Sequence, residues 1–407
     1  MNPLSAAAWV AALFLAANLF PHTVALRLTL LALGLALVVF ELARAKLAKR
    51  PPNVQALPPL LIPILLWAAW AALSILWSVE PERSVKEFKN EVVYVFLAYW
   101  LCWVAAQAPG ARRAFGVALG IGATLAYAVG IYGYFAAAAA PAWLERLASG
   151  PGDQSSALLS LMPLVLIAIC LARTEDAPRA LRLALWAVPP LFLAAAYATL
   201  NRTVWLGFAA EFVIMGALLL PRREFVSLLK SRRAKVLGGL AALAFAGGLA
   251  LLMVLVQERR ADVSLGAAVA SDIRLKMWAA AVGTIKAHPL TGLGFGRGID
   301  RQSLHEEFTN PFLWHAHNLI VETAVDTGLI GAALLLLLIG MTAYEGLRLA
   351  RDENAKHAAF GIALAAVVAG MLMRNMTDVL LVRQNALLYW GIAGALLGLG
   401  AARSGRA

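Results

Sequence analysis

Charged residues are scarce in this chain of 407 residues. They make up 14% of it, whereas hydrophobic residues make up 61% and the mean hydropathy is +0.75. A soluble domain carries roughly a quarter charged residues. So much apolar surface cannot be buried in one core, so the composition excludes an ordinary soluble domain and predicts a polytopic helical membrane protein.

Several short sequence signals are also missing. No basic residue precedes the first apolar run, Met1 to Phe20, so we expect a retained first helix and not a cleaved signal peptide. The chain has two cysteines, Cys102 and Cys170, both in apolar runs, and we expect them to be small buried side chains. Gly-x-Ser-x-Gly and His-Glu-x-x-His sequences are absent, so serine hydrolase and zinc protease functions lack support.

Long apolar runs fill most of the chain. A helix rises about 1.5 Å per residue, so about 20 apolar residues cross a hydrocarbon core of about 30 Å. About twelve runs qualify, and they are 4–20, 25–42, 57–77, 91–107, 114–136, 155–172, 183–200, 204–220, 236–256, 317–347, 358–375 and 385–402. We therefore predict an all-α polytopic membrane protein with about 12 transmembrane helices. It would form a single integral membrane domain over residues 1–407.

Basic residues indicate the orientation of these helices. The formal net charge is +12, and Lys and Arg concentrate in alternate connecting segments. The densest cluster comprises Arg222, Arg223, Lys230, Arg232, Arg233 and Lys235. Such segments are cytoplasmic by the positive-inside rule, so both termini are expected inside and residues 257–316 form one long outer loop. No compact basic module is present, so we expect no nucleic-acid partner.

The outer loop holds two recognisable elements. Residues 271–287 predict an amphipathic helix that begins at Ser271 or Asp272. One face of it comprises Ile273, Met277, Ala281 and Ile285. A glycine-rich turn is predicted at residues 292–298, Gly-Leu-Gly-Phe-Gly-Arg-Gly. It follows a predicted helix and not a strand, so we exclude a dinucleotide-binding loop.

Two arginines belong to the same outer face. Arg202 connects runs seven and eight, and Arg274 lies on the amphipathic helix. Each is either an interfacial anchor or a ligand for phosphate or diphosphate, because a guanidinium can bind two oxygens at once. Two arginines could neutralise a departing diphosphate without a metal ion.

Two histidines stand at the outer end of run ten. His315 and His317 are either capping residues or general bases, because imidazole can take a proton from a hydroxyl near neutral pH. Asn318 could orient the His317 ring or bind substrate. We expect His315, two residues before His317, to point elsewhere on the helix.

Weaker candidates lie on the same face. Lys86 and Lys89 are either solvated charges or phosphate ligands, and Asp378 lies near Arg374 and Arg383, where an ion pair is the simpler explanation. The acidic residues of the outer loop contain no Asp-x-Asp pair, which disfavours a divalent-metal glycosyltransferase. We therefore predict no metal and no cofactor.

Three blocks of the chain resemble the O-antigen ligase/polymerase superfamily. They are Leu200-Asn-Arg-Thr-Val-Trp-Leu206, then Arg274-Leu-Lys-Met-Trp278 with His288-Pro-Leu-Thr-Gly-Leu-Gly-Phe-Gly296, then His317-Asn-Leu319 with Glu322 and Thr327-Gly-Leu-Ile-Gly331. They span residues 200–333. Asn201 stands where the family commonly has serine, and the first half of the chain resembles the family only in hydropathy.

The resemblance implies a GT-C-like glycosyltransferase in the bacterial inner membrane, with its active site facing the periplasm. The donor would be O-antigen linked to undecaprenyl diphosphate. The acceptor would be lipid A–core for a ligase, or a second lipid-linked glycan for a polymerase. A chain of 407 residues without a large C-terminal extension is more similar to the ligase.

A direct displacement follows as the expected mechanism. Arg202 and Arg274 would stabilise the diphosphate leaving group, and His317 would deprotonate the acceptor hydroxyl. The transfer would invert the anomeric configuration and need no metal. The rival class is a secondary transporter, which would carry ionisable residues near mid-membrane in two related halves.

Overall fold

The structure is a computed structural model that describes residues 2–49, 54–135, 151–175, 177–199, 201–223, 230, 273–302, 304 and 315–402. Within these ranges the chain forms helices and no strand. They are α1 (Pro3–Ala17), α2 (Val24–Leu47), α3 (Leu61–Ser74), α4 (Pro81–Phe88), α5 (Tyr94–Ala105), α6 (Ala111–Phe135), α7 (Pro151–Thr174), α8 (Arg179–Ala198), α9 (Arg202–Leu219), α10 (Ile273–Ala287), α11 (Leu319–Ala350), α12 (Ala355–Asn375) and α13 (Arg383–Ala401).

The helices agree with the hydropathy pattern. Each predicted apolar run contains a helix, except run 236–256, which lies outside the described residues. Six helices of the described ranges are long and apolar enough to cross a membrane, namely α2, α6, α7, α8, α11 and α12. The all-helical prediction is thereby confirmed for the described residues, the six apolar helices agree with a membrane protein, and the count of twelve spans stays a prediction.

Helix α13 is enclosed by the rest of the bundle and packs closely on α5. A Cβ added at Gly394 would lie 2.3 Å from the backbone oxygen of Tyr99, and one at Gly398 would lie 2.4 Å from that of Trp103. Only glycine permits this approach of the two backbones, which is a common device between membrane helices. The close packing fixes the segment before α13, which contributes to the site.

The fourth predicted run, 91–107, is shorter as an α-helix. A π-helical turn, Lys89–Val93, joins α4 to α5. Such turns are rare and frequently lie at functional sites. Glu91 belongs to this turn, and its Oε2 accepts a hydrogen bond from the backbone N–H of Arg383 at 2.8 Å. The turn therefore connects the start of α5 to the start of α13.

A helix, α10, is present where an amphipathic one was predicted, but apolar residues are not confined to its buried face, since Leu275 and Val282 are exposed. Met277 and Ala281 of the predicted face are buried, and Ile285 packs against the cluster that contains Ala281. The proposed N-caps, Ser271 and Asp272, lie outside the described residues.

Candidate active site

A kink in α11 receives the glycine-rich turn. Helical geometry is interrupted at Gly328, whose φ of 71° and ψ of 179° are strained for any residue with a Cβ. Backbone N–H of Leu329 donates to the carbonyl oxygen of Pro289 at 2.8 Å, and that of Gly294 donates to the carbonyl oxygen of Asp326 at 2.7 Å. The predicted turn is therefore joined to the interrupted helix by backbone hydrogen bonds.

Two further contacts position Arg297 within this turn. On one side of it, the backbone N–H of Phe295 donates to Ser74 Oγ at 3.0 Å. On the other side, the backbone N–H of Gly298 donates to Glu322 Oε1 at 3.3 Å. Both anchors belong to helices, so the backbone around Arg297 is fixed between α3 and α11.

Asn318 is the N-cap of α11. Its Oδ1 accepts hydrogen bonds from the backbone N–H groups of Ile320 and Val321 at 3.0 and 3.2 Å. Its Nδ2 donates to the carbonyl oxygen of Met376 at 3.1 Å. The amide thus fixes the start of α11 against the segment that follows α12, and its role in substrate binding stays a prediction.

The two histidine rings lie against each other. The backbone N–H of His317 donates to His315 Nδ1 at 3.0 Å, and the ring centroids are 3.9 Å apart. The expectation that His315 would point elsewhere on the helix is wrong, because α11 begins only at Leu319. His317 adopts a φ of 48°, a conformation that is uncommon for residues other than glycine and that can mark a functional site.

A carboxylate lies on the other side of His317. His317 Nδ1 is 3.2 Å from Asp378 Oδ1, and Arg374 donates to Asp378 Oδ2 at 3.3 Å. Burial raises the pKa of Asp378, but the hydrogen bond with His317 and the charge of Arg374 outweigh it and hold this pKa well below its usual range. The suggested ion pair with Arg374 is present, and the same ionised carboxylate orients His317.

His315 is a neutral neighbour of this pair. Its burial, the adjacent His317 and the charge of Arg297 lower the pKa of His315 to about 3, although Asp378 opposes them. The ring is therefore uncharged near neutral pH, and its Nδ1 accepts the hydrogen bond from the His317 backbone. His315 thus supports the conformation of His317.

The cluster also has the composition of a metal site. Ligand atoms of His315, His317 and Asp378 all lie within 4.8 Å of one another. Two imidazoles and one carboxylate are ligands that suit zinc. The hydrogen bonds already described use the same side chains, so the arrangement suits a hydrogen-bonded base as well as a metal. Metal independence stays a prediction.

Short connections bring Arg202 to the same end of the bundle. Arg374 Nε donates to Ser155 Oγ at 3.4 Å, so the start of α7 lies beside the end of α12. Helices α7, α8 and α9 follow one another through short connections and alternate in direction, so Arg202 returns to that end. Asn201 caps α9 by accepting a hydrogen bond from the backbone N–H of Thr203 at 3.1 Å, which serine could also do.

Helix α10, which carries Arg274, contacts the segment between the two histidines. Trp278 Nε1 donates to the carbonyl oxygen of Ala316, the residue between the two histidines, at 2.7 Å. Arg274 precedes Trp278 by four residues, which is just over one helical turn, or about 6 Å along the axis. The side chains of Arg202 and Arg274 lie outside the described part of the structure, so their diphosphate contacts stay predictions.

In the described part of the structure, Lys86 and Lys89 make no hydrogen bond to His315, His317 or Asp378. Lys86 is on α4 and Lys89 begins the π-helical turn, and both side chains are exposed. Their proposed phosphate contacts stay predictions.

A cavity of about 80 Å³ lies beside the segments that carry His317 and Asp378, since Leu319 and Val379 line it. Its polar residues were not among the site candidates predicted from the sequence. Arg297, Glu91 and Asp326 line it, together with Glu322, which belongs to the third motif block. The available signal was an ionisable residue within or beside an apolar run, which is costly in a membrane and therefore points to function. One sequence does not reveal that these residues meet.

Comparison with known proteins supports the motif interpretation. Residues 190–336 match a family model described as O-antigen ligase. The matched segment contains Arg202, Arg274, Arg297 and His317. No curated protein matches the chain.

Proposed function

We propose that this chain, whose residues 190–336 match a family model described as O-antigen ligase, is an O-antigen ligase of the bacterial inner membrane. The family itself supports a membrane glycosyltransferase of the ligase or polymerase type. The enzyme would transfer a glycan from undecaprenyl diphosphate to a sugar hydroxyl of lipid A–core at the periplasmic face. The proposal rests on the hydrogen-bonded series Arg374, Asp378 and His317 at the start of α11.

His317 is the general base in this proposal. The ionised Asp378 accepts the hydrogen bond from Nδ1–H, which leaves the lone pair of Nε2 available for a proton. Nε2 takes the proton of the acceptor hydroxyl while its oxygen forms a bond to the anomeric carbon of the donor. Asp378 then stabilises the imidazolium that results.

The leaving group is undecaprenyl diphosphate. Its bond to the anomeric carbon breaks on the face opposite the attacking oxygen, so the configuration inverts. Arg202 and Arg274 bind the diphosphate oxygens and neutralise the charge that develops on them. Support comes from their backbone positions, since Arg202 starts α9 beside the end of α12 and Arg274 precedes Trp278 on α10.

Two other functions remain as alternatives. A polymerase would use the same donor chemistry with a second lipid-linked glycan as acceptor. A transporter is favoured by one observation: Glu211, in the middle of α9, is fully buried, and neither of its carboxyl oxygens has a hydrogen-bond partner among the described residues. An ionisable group at such a position is a feature of transport pathways.

A reconstitution distinguishes these functions. Purified protein is incubated with undecaprenyl-diphosphate glycan and a chelator, with and without lipid A–core, and the products are separated on a gel. The ligase is supported if glycan appears on lipid A–core in the reaction that contains this acceptor. The displacement mechanism is supported if the configuration at the new bond is inverted. Longer lipid-linked chains without the acceptor indicate a polymerase, retention contradicts the mechanism, and absence of transfer favours the transporter.

A further inference from the structure

The cavity beside the histidine cluster has two kinds of wall. Its apolar part includes the rings of Trp67 and Phe295 and side chains from α11 and α13. Its polar part consists of Glu91, Arg297, Glu322, Thr323, Asp326 and Thr327. A lining that combines aromatic rings with hydrogen-bonding groups suits a ligand with both apolar and polar surface.

Two oxygens in the cavity lining lack a donor. Glu91 Oε1 and Asp326 Oδ1 are buried, and neither has a hydrogen-bond partner among the described residues. Leaving a buried acceptor unsatisfied costs free energy, so such atoms point to a bound water or ligand that donates to them. The missing partner is therefore a hydrogen-bond donor.

The lining disfavours phosphate as that partner. Three carboxyl groups, of Glu91, Glu322 and Asp326, accompany the single guanidinium of Arg297. Phosphate oxygens accept hydrogen bonds, so a phosphate at this position would leave both carboxyl oxygens without a donor. A metal ion is also disfavoured, because in the described part of the chain the only group of three ligands within reach of one ion is that of His315, His317 and Asp378.

The cavity adjoins the reacting groups. Leu319 and Val379 belong to its lining, and they directly follow Asn318 and Asp378 in the chain. Its volume of about 80 Å³ is smaller than that of most ligand pockets, about 300–1,000 Å³. It would therefore admit one edge of a sugar ring and not an oligosaccharide.

We propose that this cavity is a sugar subsite, in which Glu91 and Asp326 accept hydrogen bonds from the hydroxyl groups of a sugar next to the bond being formed. The ring's apolar face lies against Trp67 and Phe295. The hydroxyls belong either to the donor glycan or to the acceptor sugar, which share this chemistry. The inference rests on the proposed function, and it identifies residues that bind sugar separately from the diphosphate.

Glu91→Gln and Asp326→Asn test the subsite. Both changes keep the side-chain shape and replace one acceptor oxygen with an amide donor. Initial rates are measured with undecaprenyl-diphosphate glycan and lipid A–core, each varied in turn. We expect KM for one substrate to rise about two- to tenfold in each variant, because a hydrogen bond worth about 0.5–1.5 kcal/mol is lost, while KM for the other substrate stays unchanged. The substrate affected identifies the source of the sugar.

Glu345→Gln is the matched control. Glu345 is a buried carboxyl on the same helix, α11, near its other end, where it pairs with Arg348 at 2.6 Å. Its change should leave both KM values as in the wild type. Thermal unfolding identifies any variant that does not fold, and either cavity variant is sufficient if the other does not fold.

The outcomes separate the two proposals. Unchanged KM values for both substrates in folded Glu91→Gln and Asp326→Asn, with wild-type transfer intact, would overturn the subsite and leave the ligase proposal standing. Such a result would mean that only water donates to these oxygens. A wild type that transfers no glycan to either acceptor overturns both proposals.

Discussion

Replacing Asp378 with asparagine tests how His317 is held. The wild-type carboxylate lies 3.2 Å from His317 Nδ1 and 3.3 Å from Arg374. A hydrogen bond to a charged group contributes about 1.5–3 kcal/mol, and about 1.4 kcal/mol corresponds to a tenfold change in rate. For Asp378→Asn we therefore expect kcat to fall about 10- to 100-fold near neutral pH, while KM for both substrates stays within about threefold.

The assay is initial-rate transfer by purified enzyme over about pH 5 to pH 9, with products separated on a gel. The acid limb of the wild-type profile reports protonation of the base. In Asp378→Asn this limb should move to lower pH, because an amide does not stabilise the imidazolium. A purely structural defect would instead lower the rate by the same factor at every pH.

Asp352→Asn is the control for this experiment. Asp352 lies 3.6 Å from His357 Nδ1 at the opposite end of α12, so it is an aspartate–histidine pair of the same chemistry away from the site. Its change should leave both kcat and the pH profile unaltered. Wild-type kcat in Asp378→Asn, or an equal loss in Asp352→Asn, would refute the orienting role of Asp378.

Three further predictions concern stability and metal. Gly328→Ala should destabilise the protein by about 1–3 kcal/mol or more through backbone strain, and its Cβ would lie 2.2 Å from the backbone oxygen of Leu290. The control is Gly340→Ala on the same helix, whose Cβ meets nothing within 4 Å and which should stabilise the protein slightly. Thermal unfolding compares the two variants. The pKa of Asp378 is lower in the folded protein than the value of about 3.9 in an unfolded chain. The ionised carboxylate therefore stabilises the fold above about pH 4 and progressively less as the pH falls below it. The difference in melting temperature between wild type and Asp378→Asn should be largest at about pH 7 and should shrink below about pH 4. EDTA should leave the transfer rate unchanged, and a rate that falls with EDTA and returns with Zn²⁺ would contradict the metal-free mechanism.

Hydropathy predicted the helices because each span must satisfy its own backbone in lipid, which makes long apolar runs an unambiguous signal. The buried residues of α10 were predictable from spacing, since Met277 and Ala281 are four residues apart, about one helical turn. Helix ends were less certain. Hydropathy placed the start of run ten at residue 317, whereas the cap formed by Asn318 starts α11 at Leu319.

That small difference changed the interpretation of the site. Because the helix starts after both histidines, helical spacing does not separate them, and the His315 ring lies against that of His317. The cavity was not predictable for another reason. Glu91, Arg297 and Asp326 meet only because Gly328 interrupts α11 and admits the glycine-rich turn, and hydropathy contains no information on which helices are neighbours.

The most direct test of the base is the transfer rate of His317→Ala beside that of His357→Ala, with donor binding measured on both proteins. Loss of a general base should lower transfer by about 10²- to 10⁴-fold in His317→Ala while donor binding persists. His357, paired with Asp352 at the opposite end of α12, should tolerate the change. Transfer at the wild-type rate by folded His317→Ala would contradict the assignment of His317 as the base.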